Sequence, residues 1–134
     1  MRRFLTLIIL ILAVSCREPR SAESFIRGTG PFEFRVEMAD SAALYDFDFY
    51  TRIDAKTCPG ETPLMVQWVS PSDSVFRETV YLPLSCGEVY EPYRRACSPV
   101  EYGTWKCIVD VPEAVSIKGF RGLGLVVSRE YGTR

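Results

Sequence analysis

Apolar and charged residues alternate strictly along much of this chain, and a chain that alternates with period two folds into strands with one buried face. Residues 31–38 (PFEFRVEM) set Phe32, Phe34, Val36 and Met38 against Glu33, Arg35 and Glu37. Residues 44–54 (LYDFDFYTRID) place Tyr45, Phe47, Phe49 and Ile53 on one side and Asp46, Asp48, Arg52 and Asp54 on the other. Residues 63–70 (PLMVQWVS) and 75–84 (VFRETVYLPL) flank Pro71-Ser72-Asp73-Ser74, whose residue types favour a turn, and predict a hairpin. Residues 104–111 (TWKCIVDV) put Trp105, Cys107, Val109 and Val111 on one face. Residues 120–129 (FRGLGLVVSR) put Leu123, Leu125 and Val127 on one face, with Gly122 and Gly124 opposite. No window sustains helical spacing, and residues 112–118 leave room for one short turn at most. The pattern predicts an all-β, antiparallel β-sandwich of six to eight strands, jelly-roll or Ig-like, over residues 31–134.

The start of the chain predicts where that sandwich sits. Arg2 and Arg3 precede an apolar run of 11 residues, 4–14, and then Ser15 and Cys16. A spanning helix needs roughly 20 apolar residues, so a basic start with a short apolar core reads as an export signal over residues 1–15. The run Leu12-Ala13-Val14-Ser15-Cys16 resembles a bacterial lipobox, which makes Cys16 the lipid (palmitate-type) attachment site. Removal of residues 1–15 takes away Arg2 and Arg3 and leaves 14 basic against 17 acidic residues, a net charge of −3. The acyl group, rather than attraction to anionic lipid, is then the anchor. Residues 16–30 are polar and carry Pro19, Gly28 and Gly30, and read as a flexible tether. The expected location is the cell envelope, lipid-anchored to a bacterial membrane, with the outer membrane favoured.

Four cysteines remain beyond Cys16, and an even number in an exported chain predicts disulfides. If Val69 faces Val75 in the hairpin, opposite residues sum to 144, and so do 58 and 86. Cys97 and Cys107 flank Glu101-Tyr102-Gly103 and can lie across a second hairpin. The expected bridges are therefore Cys58–Cys86 and Cys97–Cys107, in preference to Cys86–Cys97 with Cys58–Cys107. No CxxC pair occurs, so neither a zinc ribbon nor a thioredoxin-type site is expected.

The chain has no histidine, which removes Ser-His-Asp and Cys-His nucleophile systems and histidine-ligated zinc. A net charge of −1, with basic residues scattered, argues against a nucleic-acid surface. Asp46 and Asp48 share a strand face and form a carboxylate pair on paper, but charges on the outer face of a sheet are the commoner case. Gly122-Leu123-Gly124 lacks the third glycine and following helix of a phosphate cradle, and close packing in a strand accounts for it better. Trp68 and Trp105 sit inside alternating strands and read as core. Tyr90, Tyr93 and Tyr102, with Arg94 and Arg95, fall in the loop-like stretch 85–103 and form the candidate contact patch, the composition that interface hot spots favour. No catalytic residue, metal site or cofactor is expected.

The order of these features resembles the gliding motility lipoprotein GldH family of Bacteroidetes-type bacteria. The resemblance rests on the lipobox, FEFRVEM, a second strand ending in Arg52-Ile53-Asp54, the hairpin WVSPSDSVFRETVYLPL, GTWKCIV and RGLGLVV, and it covers residues 30–129. The chain departs from it at residues 57–62 and 85–92, where it carries cysteines. The resemblance implies a non-enzymatic accessory or interaction module of a gliding-motility or secretion-type envelope assembly, with other envelope proteins as partners. The alternative is a carbohydrate-binding surface lipoprotein that uses the loop tyrosines.

Overall fold

The computed structural model describes residues 21–86 and 93–131, apart from the side chains of Arg94 and Arg95. Eight strands form: β1 (Ser21–Arg27), β2 (Phe32–Met38), β3 (Leu44–Ile53), β4 (Glu61–Val69), β5 (Val75–Pro83), β6 (Tyr93–Cys97), β7 (Gly103–Asp110) and β8 (Phe120–Glu130). They make two four-stranded antiparallel sheets, sheet A in the order β1-β8-β3-β6 and sheet B in the order β2-β7-β4-β5. Paired strands on the long diagonal (β1 with β8, β2 with β7, β3 with β6, β4 with β5) are those of one long hairpin rolled up from its β4–β5 tip, which is the jelly-roll order. The all-β sandwich expected from the alternation is the fold. Among the described residues no helix forms, and residues 112–116 are successive turns.

The inner faces are the ones the alternation marks. Phe32, Phe34, Val36 and Met38 of β2 are buried, while Glu33, Arg35 and Glu37 between them are exposed. Tyr45, Phe47 and Phe49 of β3 meet Leu64 and Val66 of β4, Val109 of β7, and Leu123 and Leu125 of β8 in one core. The outer face of sheet A carries a smaller cluster. Tyr50 is buried there across Gly124, stacks on Phe25 at a centroid distance of 6.0 Å, and donates its hydroxyl to Glu23. A Cβ at Gly124 would overlap the Tyr50 ring, so this glycine is a close-packing residue, as expected for a glycine in a strand. Gly122 stands at the β-bulge between Arg52 and Ile53, with a φ of +157° and its carbonyl accepting the Thr51 hydroxyl.

Two expectations are corrected. Residues 21–27, placed in the tether because they are polar, form β1, the edge strand of sheet A paired with β8 from Ser21–Ser128 to Arg27–Gly122. An edge strand needs only a neighbour's backbone, so polar composition does not prevent it. The expected Cys97–Cys107 bridge is not made. Cys97 ends β6 opposite Tyr45 in sheet A, whereas Cys107 lies in the middle of β7 between Phe34 and Trp68 in sheet B. The chain crosses from one sheet to the other between them, so nearness in sequence does not make a hairpin. Burial, and then the Glu78 carboxylate, push the Cys107 thiol well above its ordinary pKa. Cys58–Cys86 is bridged, as the register predicts, with a Cα–Cα distance of 6.0 Å.

Antiparallel pairing fixes which connections share an end. The β1–β2, β3–β4 and β7–β8 connections and the Cys58–Cys86 bridge lie at one end. The β2–β3, β4–β5 and β6–β7 connections lie at the other, together with Ser21 and Tyr131.

Candidate binding site at the terminal end

At the terminal end the sandwich opens between the edge strands β5 and β6 into a pocket of about 250 Å³. Sheet B supplies its floor, Trp68 from β4, Phe76 from β5 and Trp105 from β7, because all three occupy inward positions beyond the short strand β6 that would otherwise cover them. Met38 and Phe47 back it, and residues 97–100 form the opposite wall. The rings pack in two pairs, Phe47 on Trp68 at 5.0 Å and Phe76 on Trp105 at 6.0 Å between centroids. Trp105 is 5% exposed and Phe76 47%, so the floor runs from the core out to the rim.

Both indole N–H groups are satisfied within the protein. Trp105 Nε1 donates to the Glu101 carbonyl at 2.9 Å, and Trp68 Nε1 donates to Glu78 Oε1 at 3.3 Å. Glu78 is the one charged residue at an inward position of β5, between Phe76 and Val80. A charge turned inward on an edge strand disfavours pairing with another sheet. The wall is tied to the floor by the same loop that satisfies Trp105. Ser72 Oγ donates to Glu101 Oε2 at 2.7 Å, and the Ser74 amide donates to Ser70 Oγ at 3.0 Å, which shapes the β4–β5 turn. The Ser72 and Ser70 hydroxyls hold the Glu101 carboxyl below its ordinary pKa. The pocket therefore offers aromatic and aliphatic surface on which both indole N–H groups and the Glu78 carboxylate are already engaged, with Arg77 and Ser98 as its other polar lining.

The structure splits the tyrosine–arginine patch. Tyr93 begins β6 and packs half-buried against the core, opposite Phe49. Arg94 and Arg95 follow it in register with Asp48 and Phe47. Tyr102 is exposed on the loop past the other end of β6. Tyr90 lies outside the described residues, as do Cys16 and residues 1–15, the stretch expected to be an export signal. Asp46 and Asp48 are half-buried on the outer face of sheet A, in register with Ser128 and Val126. Trp68 and Trp105 pack against or within the core as expected, and they also line the pocket. Among the described residues no group of three or more acidic or cysteine side chains is placed to hold a metal ion. No described helix is long and apolar enough to cross a membrane.

A second apolar feature lies on the outer face of sheet B. Met65 and Tyr81 are exposed diagonal neighbours across β4 and β5. Farther across the same sheet the outer face is ionic, with Lys106–Glu33 at 3.4 Å and Arg35–Glu37 at 3.2 Å.

No protein-family model and no curated protein matches the sequence. Among solved structures, the enzymatically active domain of bacteriophage CBA120 tailspike protein 4 is similar over 82% of this chain, at 8% identity and a TM-score of 0.37. This chain spans 19% of that one's length. At that level the likeness carries no functional argument.

Proposed function

We propose that the protein is a lipoprotein acylated on Cys16 and held at a membrane of the bacterial envelope, where its jelly-roll domain works by contact. In this reading it is a non-enzymatic accessory of a gliding-motility or secretion-type assembly, the role that its resemblance to the GldH family implies. The observation that carries the reading is the Cys58–Cys86 bridge. Structural disulfides persist in oxidising compartments, so the bridge agrees with the export signal and lipobox-like cysteine that precede it. A role in contact is supported by Met65 and Tyr81, which expose apolar surface side by side on sheet B.

The test is expression of the full chain in a Bacteroidetes-type host, with mass spectrometry of the mature N-terminal peptide and a photo-crosslinking residue at position 81. The expected result is an acyl mass on residue 16, release from the membrane fraction in Cys16→Ala, and one recurrent envelope protein crosslinked from position 81. An unmodified residue 16, or crosslinks that do not recur, would count against it. A carbohydrate-binding reading draws support from Tyr102, exposed on the loop that walls the Trp-lined pocket. A glycan-array signal lost in Tyr102→Ala would favour that reading over the first.

A further inference from the structure

We infer that the terminal end of the sandwich, the end that carries the pocket, rests on the lipid surface beside the anchor. The inference deepens the tethered-lipoprotein reading and depends on it. Five residue steps separate Cys16 from Ser21, which fully extended span roughly 17 Å. Ser21 starts β1 at the terminal end, so an acylated Cys16 keeps that end within reach of the bilayer, whereas the opposite end is tethered only through the length of the strands.

Exposed apolar side chains are distributed to match. Val100 is 78% exposed, Tyr131 53%, Phe76 47% and Tyr102 45%, and Val75 adjoins Phe76 at the start of β5. All five lie on or beside the β4–β5 and β6–β7 connections or the chain's last described residue, at the terminal end. At the opposite end the large apolar side chains exposed among the described residues are Val115 and Tyr81, the latter on the outer face of β5 two residues before its end. Val100 and Phe76 are the exposed apolar residues of the pocket lining and come from its two sides, next to Ser98 and Arg77. Tyrosines with an apolar body and a polar tip suit the headgroup level of a bilayer. The occupant is lipid rather than an anionic surface in particular, because Asp40, Asp73, Glu101 and Glu130 share this end with Arg77 and Arg129.

The chain's two tryptophans, Trp68 and Trp105, both line this pocket, so intrinsic fluorescence reports on this end alone. The acylated full-length mature protein is reconstituted into phosphatidylcholine vesicles, with acylation checked by mass and membrane association by flotation. The lipid is brominated near the carboxyl end of one acyl chain, which quenches indoles close to the headgroup region. The expected result is quenching that is lost in Val100→Asp and kept in Val115→Asp, with both variants still floating with the vesicles. Near-UV circular dichroism confirms that Val100→Asp is folded, and Tyr102→Asp serves as a second variant at the same rim. An acylated protein that floats but is not quenched, or quenching that survives both rim variants, overturns this orientation and leaves the tethered reading standing. A mature protein without an acyl group overturns both.

Discussion

Replacing Cys58 and Cys86 together by alanine removes the one bridge in the described structure, and its cost follows from where the bridge sits. The two cysteines are 28 residues apart. In the chain-entropy treatment, a closed loop of that size restricts the unfolded chain by about 3.6 kcal/mol at 25 °C. For a domain of this length that corresponds to a fall in Tm of about 15–20 °C. The bridge continues an existing ladder, because the Leu84 amide donates to the Gly60 carbonyl at 2.9 Å and Glu61 pairs with Pro83. Native geometry at the hairpin base is therefore kept without it, and the loss falls on the unfolded state. Urea denaturation followed by fluorescence should then show a lower midpoint together with a larger m-value, since the uncrosslinked chain exposes more surface on unfolding. Cys58→Ala alone should cost nearly as much as the pair, because either substitution opens the loop. A double variant within about 1 kcal/mol of the parent, with an unchanged m-value, would refute the argument, since the hairpin would then already confine the unfolded chain.

Gly124→Ala should destabilise the protein by about 2–4 kcal/mol in urea, because the added methyl displaces a buried tyrosine, whereas Gly124→Ala with Tyr50→Leu should recover part of the loss. Cys107→Ser should cost about 1–3 kcal/mol, more than Cys107→Ala, because it brings a hydroxyl into a fully buried site. The same burial predicts that the Cys107 thiol escapes iodoacetamide at mildly alkaline pH until the protein unfolds, as read by mass spectrometry. The Tyr131 hydroxyl, and then the Ala42 amide, hold the Asp40 carboxyl below its ordinary value of 3.8, so this contribution is present above the ordinary carboxylate range and fades as pH falls through the lowered value. The same bond raises the Tyr131 phenol above 10.0, so its contribution is full below that pH and fades as pH rises through the raised value. An NMR titration should show the Asp40 midpoint move up in Tyr131→Phe, and an unmoved midpoint would show that the Tyr131 hydroxyl does not hold the Asp40 carboxyl down.

Much of the fold was legible because period-two alternation survives wherever a strand has one wet face. β2 shows this most plainly. The hairpin register was also legible: Val69 does face Val75, and the same sum runs through Glu61–Pro83 to Cys58–Cys86 despite Pro63. Pro63 is tolerated because β4 pairs with β7 only from Met65 to Val69, so at position 63 its single neighbour is β5. β1 was not legible, since its two apolar residues, Phe25 and Ile26, are adjacent and face opposite sides of sheet A, which leaves no alternation over the polar residues before them. Nor was the separation of Cys97 from Cys107, because nothing in residues 98–102 announces a change of sheet.

The candidate site was less legible than the fold, and for a related reason. Alternation tells which face a residue takes but not which end of the sandwich it reaches; ends are set by the order in which strands pair. Trp68 and Trp105 were correctly placed on inner faces, yet their convergence with Phe76 and Val100 follows only from rolling β4–β5 against β7 and the β6–β7 connection. The same pairing divides Tyr93 from Tyr102, neighbours in a tyrosine-rich stretch that β6 carries from one end of the molecule toward the other. One local signal did mark the place. Phe76, Glu78, Val80 and Leu82 share the inner face of β5, and a carboxylate in that series is admissible only where the core gives way to an open edge. An inward charge on an otherwise apolar strand face therefore points to the edge of a sandwich before any coordinates are known, and here that edge is where the pocket opens.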